Sequence, residues 1–293
     1  MNKYCGSNKS QIHPCFSNLG HNKYARMHLP VAPGCNIQCN YCNRKYDCLN
    51  ESRPGVTSEI LTPEQAFKKY LLVKEKIDDL TVIGFAGPGD TLANFDKVKK
   101  TVELIRQANK DIIFCLSTNG LMLPLYAQEI ANIGISHVTV TINAVDPDLG
   151  ALIYDEINYE GQKLTEKKGS KILLNNQLEG LDCLTGKGIV CKVNTVVIKG
   201  VNDHHIEEVV KTVKKYGAYK SNVMQLIPAQ GTKFEDMPLV SNKEINNIRK
   251  KCSAYLSQMY HCRQCRADAI GLLSQDRSVE FRNICNSNFD KYK

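Results

Sequence analysis

The sequence has no apolar run long enough to span a membrane, which takes about 20 consecutive residues. Residues 1–20 are polar and lack the apolar core of a secretory signal peptide. We therefore expect a cytoplasmic protein that makes no membrane contact. In a reducing cytosol, the 13 cysteines of the chain favour metal ligands over disulfides.

The basic residues lack the pattern of a nucleic-acid-binding protein. The formal net charge is +8, but the sequence has no block of five or more basic residues and no obvious basic stripe with interleaved aromatics. We expect no nucleic acid partner. The positive charge is better suited to holding anionic clusters and an acidic partner protein. The sequence also shows no internal repeat and no low-complexity linker.

Strand and helix patterns alternate from about residue 27 to 230, as in parallel βα units. Six such units predict an α/β fold, a partial (βα)6 TIM barrel that is open on one side. An irregular stretch is expected at 144–170. The prediction divides the chain into an N-terminal extension (1–25), the barrel (26–240) and a C-terminal extension (241–293), both extensions carrying cluster ligands. The predicted strands cover 27–31, 80–85, 111–116, 137–143, 189–198 and 222–227.

Three cysteines with C-x3-C-x2-C spacing, Cys35, Cys39 and Cys42, follow the first predicted strand. Three thiolates can hold only three corners of a four-iron cubane, because each iron takes one ligand. The fourth iron is open to a substrate, which is typical of radical S-adenosylmethionine (SAM) enzymes. In these enzymes the amino and carboxylate groups of SAM bind that iron, and an electron cleaves SAM into methionine and a 5′-deoxyadenosyl radical.

Two other interpretations of this motif are weaker. Structural zinc sites usually combine two separated pairs of cysteines. Cysteines so close together in one loop also bridge poorly as disulfides. Both alternatives therefore rank below the four-iron cluster.

Polar residues and glycines recur where the predicted strands end. In barrels of this type, the loops at the carboxyl ends of the strands build the active site. Any one of these residues alone would be interpreted as an ordinary turn residue, but four such segments at corresponding strand ends form a pattern. We predict that they hold SAM: Gly87, Asp90, Ser117, Asn119, Asn143 and Asn194.

Further cysteines suggest additional iron–sulfur clusters. Cys262 and Cys265 form a C-x2-C pair in the tail, and Cys15, Cys48 and Cys115 lie elsewhere in the chain. The pair alone is also compatible with half a zinc site or a redox pair. Cys115 alone would more often be a small core residue. The combination with the C-x3-C-x2-C loop favours auxiliary clusters. We assign no role to Cys5, Cys183, Cys191, Cys252 and Cys285.

These motifs together resemble the NifB family of nitrogenase cofactor biosynthesis proteins, over nearly the whole chain. Departures are few: Lys199 stands where proline is expected, and 154–170 diverges. Many relatives carry a NifX-like C-terminal domain that we do not find here, so we expect a stand-alone form. The matching stretches are 13–16, 25–33, 35–48, 50–55, 86–90, 115–120, 137–143 and 261–271.

The resemblance implies a radical SAM enzyme that fuses two 4Fe-4S clusters into an eight-iron core. One SAM donates a methyl group to a sulfide of an auxiliary cluster, and the radical from a second SAM abstracts a hydrogen from that methyl. Deprotonation, carbide insertion and addition of a ninth sulfur complete the precursor of the nitrogenase cofactor. The implied cofactors are a SAM-binding 4Fe-4S cluster and SAM, with two auxiliary 4Fe-4S clusters as substrates.

The resemblance also implies which residues hold each cluster. Glu51 would assist an auxiliary cluster or accept a proton from the methyl carbon, although it could equally pair with Arg44 or Arg53. Arg44 and Arg266 are candidate charge partners of the clusters. The implied ligands are Cys35, Cys39 and Cys42 for the SAM cluster, His28, Cys48 and Cys115 for one auxiliary cluster, and Cys15, Cys262 and Cys265 for the other.

The implied partners are SAM, a reductant, a cluster donor similar to NifU or NifS, and a product acceptor similar to the NifEN scaffold or the NifX carrier. Two alternatives stay open at this point. One is a radical SAM enzyme with auxiliary clusters that acts on a peptide or small molecule. The other is an iron–sulfur scaffold or electron carrier that does not cleave SAM.

Overall fold

The computed structural model describes residues 8–282, so Cys5 and Cys285 lie outside the described residues. The strands are β1 (Ala25–His28), β2 (Ile37–Cys39), β3 (Leu80–Phe85), β4 (Ile113–Thr118), β5 (His137–Thr141), β6 (Tyr154–Tyr159), β7 (Gln162–Leu164), β8 (Val190–Val197), β9 (Lys220–Gln225) and β10 (Ile270–Gly271). The helices are α1 (Asn8–Gln11), α2 (Pro63–Lys76), α3 (Phe95–Ala108), α4 (Leu123–Asn132), α5 (Pro147–Ile153), α6 (Glu166–Gly186), α7 (Ile206–Lys215) and α8 (Asn242–Cys252).

Six parallel strands form the main sheet, in the order β1-β3-β4-β5-β8-β9. The predicted partial (βα)6 barrel is therefore confirmed. β8, which has a paired strand on each side, is buried along all eight residues. The first strand begins and ends earlier than predicted, because His28 is its last paired residue.

Local sequence signals explain where the helices begin. Thr62 is the N-cap of α2. Its hydroxyl accepts from the backbone N–H of Gln65, the Gln65 side chain accepts from the backbone N–H of Thr62, and Pro63 is the first helical residue. Ser241 and Glu244 form the same arrangement at the start of α8. Among residues 8–282, the helices are too short or too polar for any of them to cross a lipid bilayer.

The stretch at 144–170 is not irregular as predicted. It forms α5 and a hairpin of β6 and β7, and β2 pairs antiparallel with β6 to give a separate three-stranded sheet. In this pairing Cys39 lies opposite Tyr154, and Ile37 lies opposite Ile157. The small sheet thus supports the loop that contains the three-cysteine motif.

The C-terminal region returns to the barrel and adds an antiparallel strand, β10, to the edge at β1. Arg26, which is 2% exposed, reaches across this edge. Its guanidinium donates to the backbone carbonyl oxygens of Gly271 and Leu272, the latter at 2.9 Å. It also lies 3.4 Å from a carboxylate oxygen of Asp276. One buried side chain therefore fastens the tail to the first strand.

Replacing Arg26 with methionine should loosen the tail. The substitution keeps an apolar stem but leaves buried carbonyl oxygens without a donor, so we expect a loss of about 3 kcal/mol in the free energy of unfolding. Urea unfolding would measure this loss, and hydrogen exchange at β10 should become faster. The control Arg277→Met removes an arginine whose ion pair is with nearby Glu280. Equal stability of the Arg26 variant and the wild type would contradict the anchoring role.

Candidate functional site

The three-cysteine motif lines a cavity that is partly open to solvent, with about 460 Å³ of free space including that opening, and we call it the first cavity. Cys35, Cys39 and Cys42 are free thiols, as are the other cysteines within the described part of the chain. The loop is held from behind by Tyr41, whose hydroxyl donates to the Asn50 side chain at 2.6 Å. The positions of the three sulfurs are therefore set by a buried hydrogen bond as well as by β2.

Asn143 completes this support and does not line the first cavity. Its side-chain nitrogen donates to the Tyr41 hydroxyl at 2.7 Å, and its oxygen accepts from the backbone N–H of Val196 at 2.9 Å. Asn143 was predicted to contact SAM. In the structure its amide is engaged by these two protein partners behind the cysteine loop, and its contact with SAM stays a prediction.

The segment after β3 packs against the residues that precede Cys35. The N–H of Gly89 donates to the carbonyl of Ala32 at 2.7 Å, and the N–H of Asp90 donates to the carbonyl of Gly34 at 2.8 Å. A Cβ on Gly89 would lie 2.7 Å from the carbonyl carbon of Gly34, so only glycine fits. Gly89 lines the first cavity, whereas the predicted Gly87 supplies a left-handed turn, with φ of +118°.

Asp90 lines the first cavity and organises the ends of two strands. Its carboxylate accepts from the N–H groups of Leu92 at 2.9 Å and Asn119 at 2.6 Å, and from the Thr118 hydroxyl. The side-chain nitrogen of Asn119 in turn lies 3.9 Å from the sulfur of Cys35. Asp90, Ser117 and Asn119, three of the predicted SAM contacts, therefore face the cysteine loop across one cavity.

The donor set of the first cavity fits a four-iron cluster. Burial, together with the negative charges of Asp90 and Cys42, raises the pKa of Cys35 to about 11, so a thiolate here needs a bound cation. Among residues 8–282, no three His, Cys, Asp or Glu side chains are placed to hold one metal ion. Each thiolate of a cubane binds its own iron, so its ligands do not converge on one point as zinc ligands do.

Cys35, Cys39 and Cys42 would therefore hold this cluster, with one iron left for SAM. Arg44 faces the same thiolates. Burial lowers its pKa, but the negative charges of Cys35 and Cys42 outweigh this effect, so that the pKa of Arg44 is raised. Its guanidinium is thus a charge partner of the loop, as the sequence suggested.

A second cavity adjoins the first and is also partly open to solvent, with about 570 Å³ of free space including that opening. Its walls come from the N-terminal region, from the sheet and from the tail. Five of the six predicted auxiliary-cluster ligands line this cavity, although the first and the last are more than 200 residues apart in the sequence. They are Cys15, His28, Cys115, Cys262 and Cys265.

The tautomer of His28 suits metal binding. Its Nδ1 lies 2.9 Å from the carbonyl oxygen of Arg266, which can only accept, so Nδ1 carries the proton and Nε2 has a free lone pair. Burial lowers the pKa of His28 to about 4, which keeps the ring neutral. On β3, Gly84 lies between His28 and Cys115, and a Cβ there would be 3.2 Å from His28 Nε2 and 3.3 Å from Cys115 Sγ.

Cys48 is not in the second cavity. It lines the first cavity, where burial and the negative charges of Cys42, Cys35 and Cys39 raise its pKa. The structure thus brings His28 and Cys115 together and places Cys48 beside the three-cysteine motif. The division of auxiliary ligands into two sets stays a prediction.

Glu51 lines both cavities, together with Ala86 and Ser117. Its carboxylate accepts from the Asn194 side chain at 2.9 Å, which orients it toward the boundary. Within residues 8–282 no ion pair of Glu51 is found, so the alternative pairing with Arg44 or Arg53 is not supported. Asn194, predicted to contact SAM, lines the second cavity and positions Glu51.

Sequence reasoning missed two residues of the second cavity, Lys192 and His13. A signal for Lys192 was present, because Lys192 and Asn194 are two residues apart in a strand that is otherwise mostly apolar. Side chains at this spacing lie on the same face of a strand. Lys192 also pairs in register with Thr139, which pairs with Ser117, so a row of polar residues crosses the sheet.

Comparison with known proteins agrees with this geometry. Residues 29–213 match the family model of the radical SAM superfamily, and the chain belongs to that superfamily. Solved structures at low identity share the fold. Methylornithine synthase (PylB) matches with a TM-score of 0.53 at 13% identity, covering 94% of this chain and 79% of that one. The enzyme anSMEcpe with bound AdoMet matches with a TM-score of 0.56 at 17% identity, covering 80% and 64%.

Within the superfamily, the resemblance to NifB is confirmed. Curated proteins named FeMo cofactor biosynthesis protein NifB are 52% identical over 275 residues in Bradyrhizobium diazoefficiens and 53% identical over 277 residues in Herbaspirillum seropedicae. The one from Azotobacter vinelandii is 50% identical over 277 residues. The matches cover 92–93% of this chain and 53–55% of the relatives, so the chain spans about half the length of the curated proteins it matches.

Ionisation of Glu51 should lower the stability of the cluster-free protein. Burial raises the pKa of Glu51 from 4.5 to about 7, so the folded state holds the proton more tightly than the unfolded state. The stability of the wild type relative to Glu51→Gln is therefore highest below pH 4.5, where Glu51 is protonated in both states. It falls as the pH rises through about 7, the pKa of Glu51 in the folded state. We expect a fall of about 3 kcal/mol, from roughly 1.4 kcal/mol per pKa unit.

Urea unfolding of both proteins at pH 5 and pH 8 measures this difference. Glu64→Gln, on the exposed face of α2, serves as the control. Wild-type and Glu51→Gln stabilities that change in parallel between the two pH values would contradict a buried, proton-binding Glu51.

Proposed function

We propose that this protein acts in nitrogenase cofactor biosynthesis, by fusing two 4Fe-4S clusters and inserting a SAM-derived carbide to form the eight-iron precursor. The auxiliary clusters are its substrates, together with SAM. When bound in the first cavity, the SAM cluster supplies the electron that cleaves SAM. The similarity to NifB supports this proposal, over 92% or more of the chain.

The observation that carries the proposal is the pair of adjoining cavities. The first is lined by the three-cysteine motif and the second by Cys15, His28, Cys115, Cys262 and Cys265, and Glu51 lines both. Radical SAM enzymes with auxiliary clusters that act on a peptide usually place several cysteines together in a C-terminal extension, whereas the candidate ligands here come from both ends of the chain and from the barrel. Such an arrangement is expected when the clusters are the molecules that react.

The residues have separate tasks in this proposal. The cysteines and His28 hold the clusters, and a neutral imidazole is a more easily released ligand than a thiolate. Glu51 accepts a proton from the methyl carbon at the boundary between the cavities, for which a pKa of about 7 is well matched. Asn194 fixes the direction of its carboxylate through the 2.9 Å hydrogen bond.

The proposed partners follow from the same reaction. A donor similar to NifU or NifS would supply the clusters, and a reductant would supply electrons. A scaffold similar to NifEN or a carrier similar to NifX would accept the product.

The test is a product assay under anaerobic conditions. The protein is reconstituted with iron and sulfide, then given SAM and dithionite, and both 5′-deoxyadenosine and S-adenosylhomocysteine are quantified. We expect both products in the wild type. Cys262→Ala should retain SAM binding but lose cluster fusion, because it removes a ligand of the second cavity only.

Cys183→Ala is the matched control, since Cys183 lies on α6 and lines neither cavity. Deoxyadenosine alone, with the auxiliary clusters present, would indicate a radical SAM enzyme with another substrate. Absence of SAM cleavage would favour a scaffold or electron carrier. Loss of SAM binding in Cys262→Ala would contradict the division of ligands between the cavities.

Gly84→Ala should block one part of the second cavity. The added methyl would lie 2.8 Å from His28 Cδ2 and 3.3 Å from Cys115 Sγ, in the space that the two predicted ligands share. We expect lower iron content from the auxiliary clusters and unchanged SAM-cluster spectra. Gly186→Ala, where nothing lies within 4 Å of the added Cβ, is the control. Full iron content in Gly84→Ala would argue against cluster binding beside His28.

A further inference from the structure

Lys192 is a buried cation with no carboxylate at ion-pair distance among residues 8–282, although Glu51 lines the same cavity. It lies on β8 and is 5% exposed. Its contacts are the Met259 sulfur, 4.0 Å from Nζ, and the Phe16 ring, whose centroid is 5.5 Å from Nζ. Among residues 8–282 no ion pair includes Lys192, whereas the equally buried Lys69 is paired with Glu59.

The contact with Phe16 does not balance the burial of this charge. A cation over an aromatic ring is worth about 2 kcal/mol at a desolvated site. Removing an ammonium group from water costs several kcal/mol even after the protein relaxes. Neighbouring Lys220 shows how a buried lysine is satisfied within the chain, because it donates to the carbonyl of Phe16 at 2.7 Å. Lys192 therefore has no anion in direct contact, and the acidic groups that act on it at longer range, Glu51 and the cysteines of the second cavity, line the space that a cluster would fill.

His13 presents a buried donor to the same cavity. It is 1% exposed, and its Nδ1 accepts from the backbone N–H of Cys15 at 3.1 Å. The proton of the neutral ring is therefore on Nε2, and this Nε2 has no hydrogen-bond partner among residues 8–282.

His13 and His28 are thus opposite tautomers in one cavity. His28 has its lone pair on Nε2 and can bind iron, whereas His13 has a hydrogen on Nε2 and can only donate a hydrogen bond. The cavity therefore offers a ligand set, a donor and a cation. The exposed Arg263 adds a second positive charge at its rim.

We propose that Lys192 and His13 form a binding site for the inorganic sulfide of an auxiliary cluster, without coordinating iron. A 4Fe-4S cluster with three thiolate ligands is anionic, and its sulfides accept hydrogen bonds. Lys192 provides the opposite charge, and the Nε2–H of His13 donates to a sulfide. This inference rests on the proposed function in one respect, that the second cavity holds iron–sulfur clusters.

The test compares cluster-loaded variants by two readouts other than activity. One is the rate at which a chelator removes iron from the auxiliary clusters. The other is their reduction potential, followed by electron paramagnetic resonance, with the SAM cluster as internal reference. Lys192→Met should release iron about a hundredfold faster. Its auxiliary clusters should also have a lower potential, because a cation stabilises the reduced form. Lys192→Arg should retain most of both properties.

His13 is tested with a matched pair of variants. His13→Phe keeps the ring but loses the donor, whereas His13→Gln places an amide N–H near the position of Nε2. Both lose the acceptor for the N–H of Cys15. We expect about tenfold faster iron release in His13→Phe than in His13→Gln.

Lys69→Met is the control for loss of a buried lysine elsewhere, and it should leave both readouts unchanged. Auxiliary clusters of Lys192→Met with wild-type release rate and potential would overturn the inference while leaving the proposed function intact. If Lys192→Met does not fold, the His13 pair decides, and equal rates would overturn the inference. A wild type that binds no auxiliary clusters would refute both the proposed function and this inference.

Discussion

The structure depends on the cost of burying negative charge. Eight cysteines and Glu51 line two adjoining cavities, and burial raises the pKa of Glu51 and of nearly all these thiols. Thiolates in such a place are stable only with bound metal or a nearby cation. The same constraint explains why a cation lies at each cavity, Arg44 at the first and Lys192 at the second. It also explains why hydrogen-bond donors approach the sulfurs, as the Asn222 amide does at 3.3 Å from Cys262.

Much of the fold could be predicted from the sequence because buried parallel strands and amphipathic helices have strong local patterns. The small sheet of β2, β6 and β7 could not be predicted, because its strands are only three to six residues long and β2 pairs with β6 across more than 100 residues. The roles of single amides were equally hidden. Asn119 and Asn143 both follow strand ends. Asn119 lines the first cavity, whereas the side-chain amide of Asn143 is hydrogen-bonded to Tyr41 and Val196.

The candidate ligands could be named from the motifs, but their grouping depends on three-dimensional detail. Cys48 follows the three-cysteine motif by a few residues, and the bond between Tyr41 and Asn50 folds this segment back over the first cavity. No pattern in the sequence reports such a reversal. The tautomers of His13 and His28 are also set by backbone groups, a carbonyl in one case and an N–H in the other, which sequence does not identify.

The tail strand β10 has a consequence for biosynthesis. The chain is made from its N-terminus, so β1 forms one wall of the second cavity long before Cys262, Cys265 and β10 leave the ribosome. Until then, the edge of β1 is unpaired and Arg26 has no carbonyls to hold. Cluster delivery during translation would meet a half-built chamber with its edge strand exposed. A complete second cavity therefore forms only after residues 262–271 have left the ribosome and packed against β1.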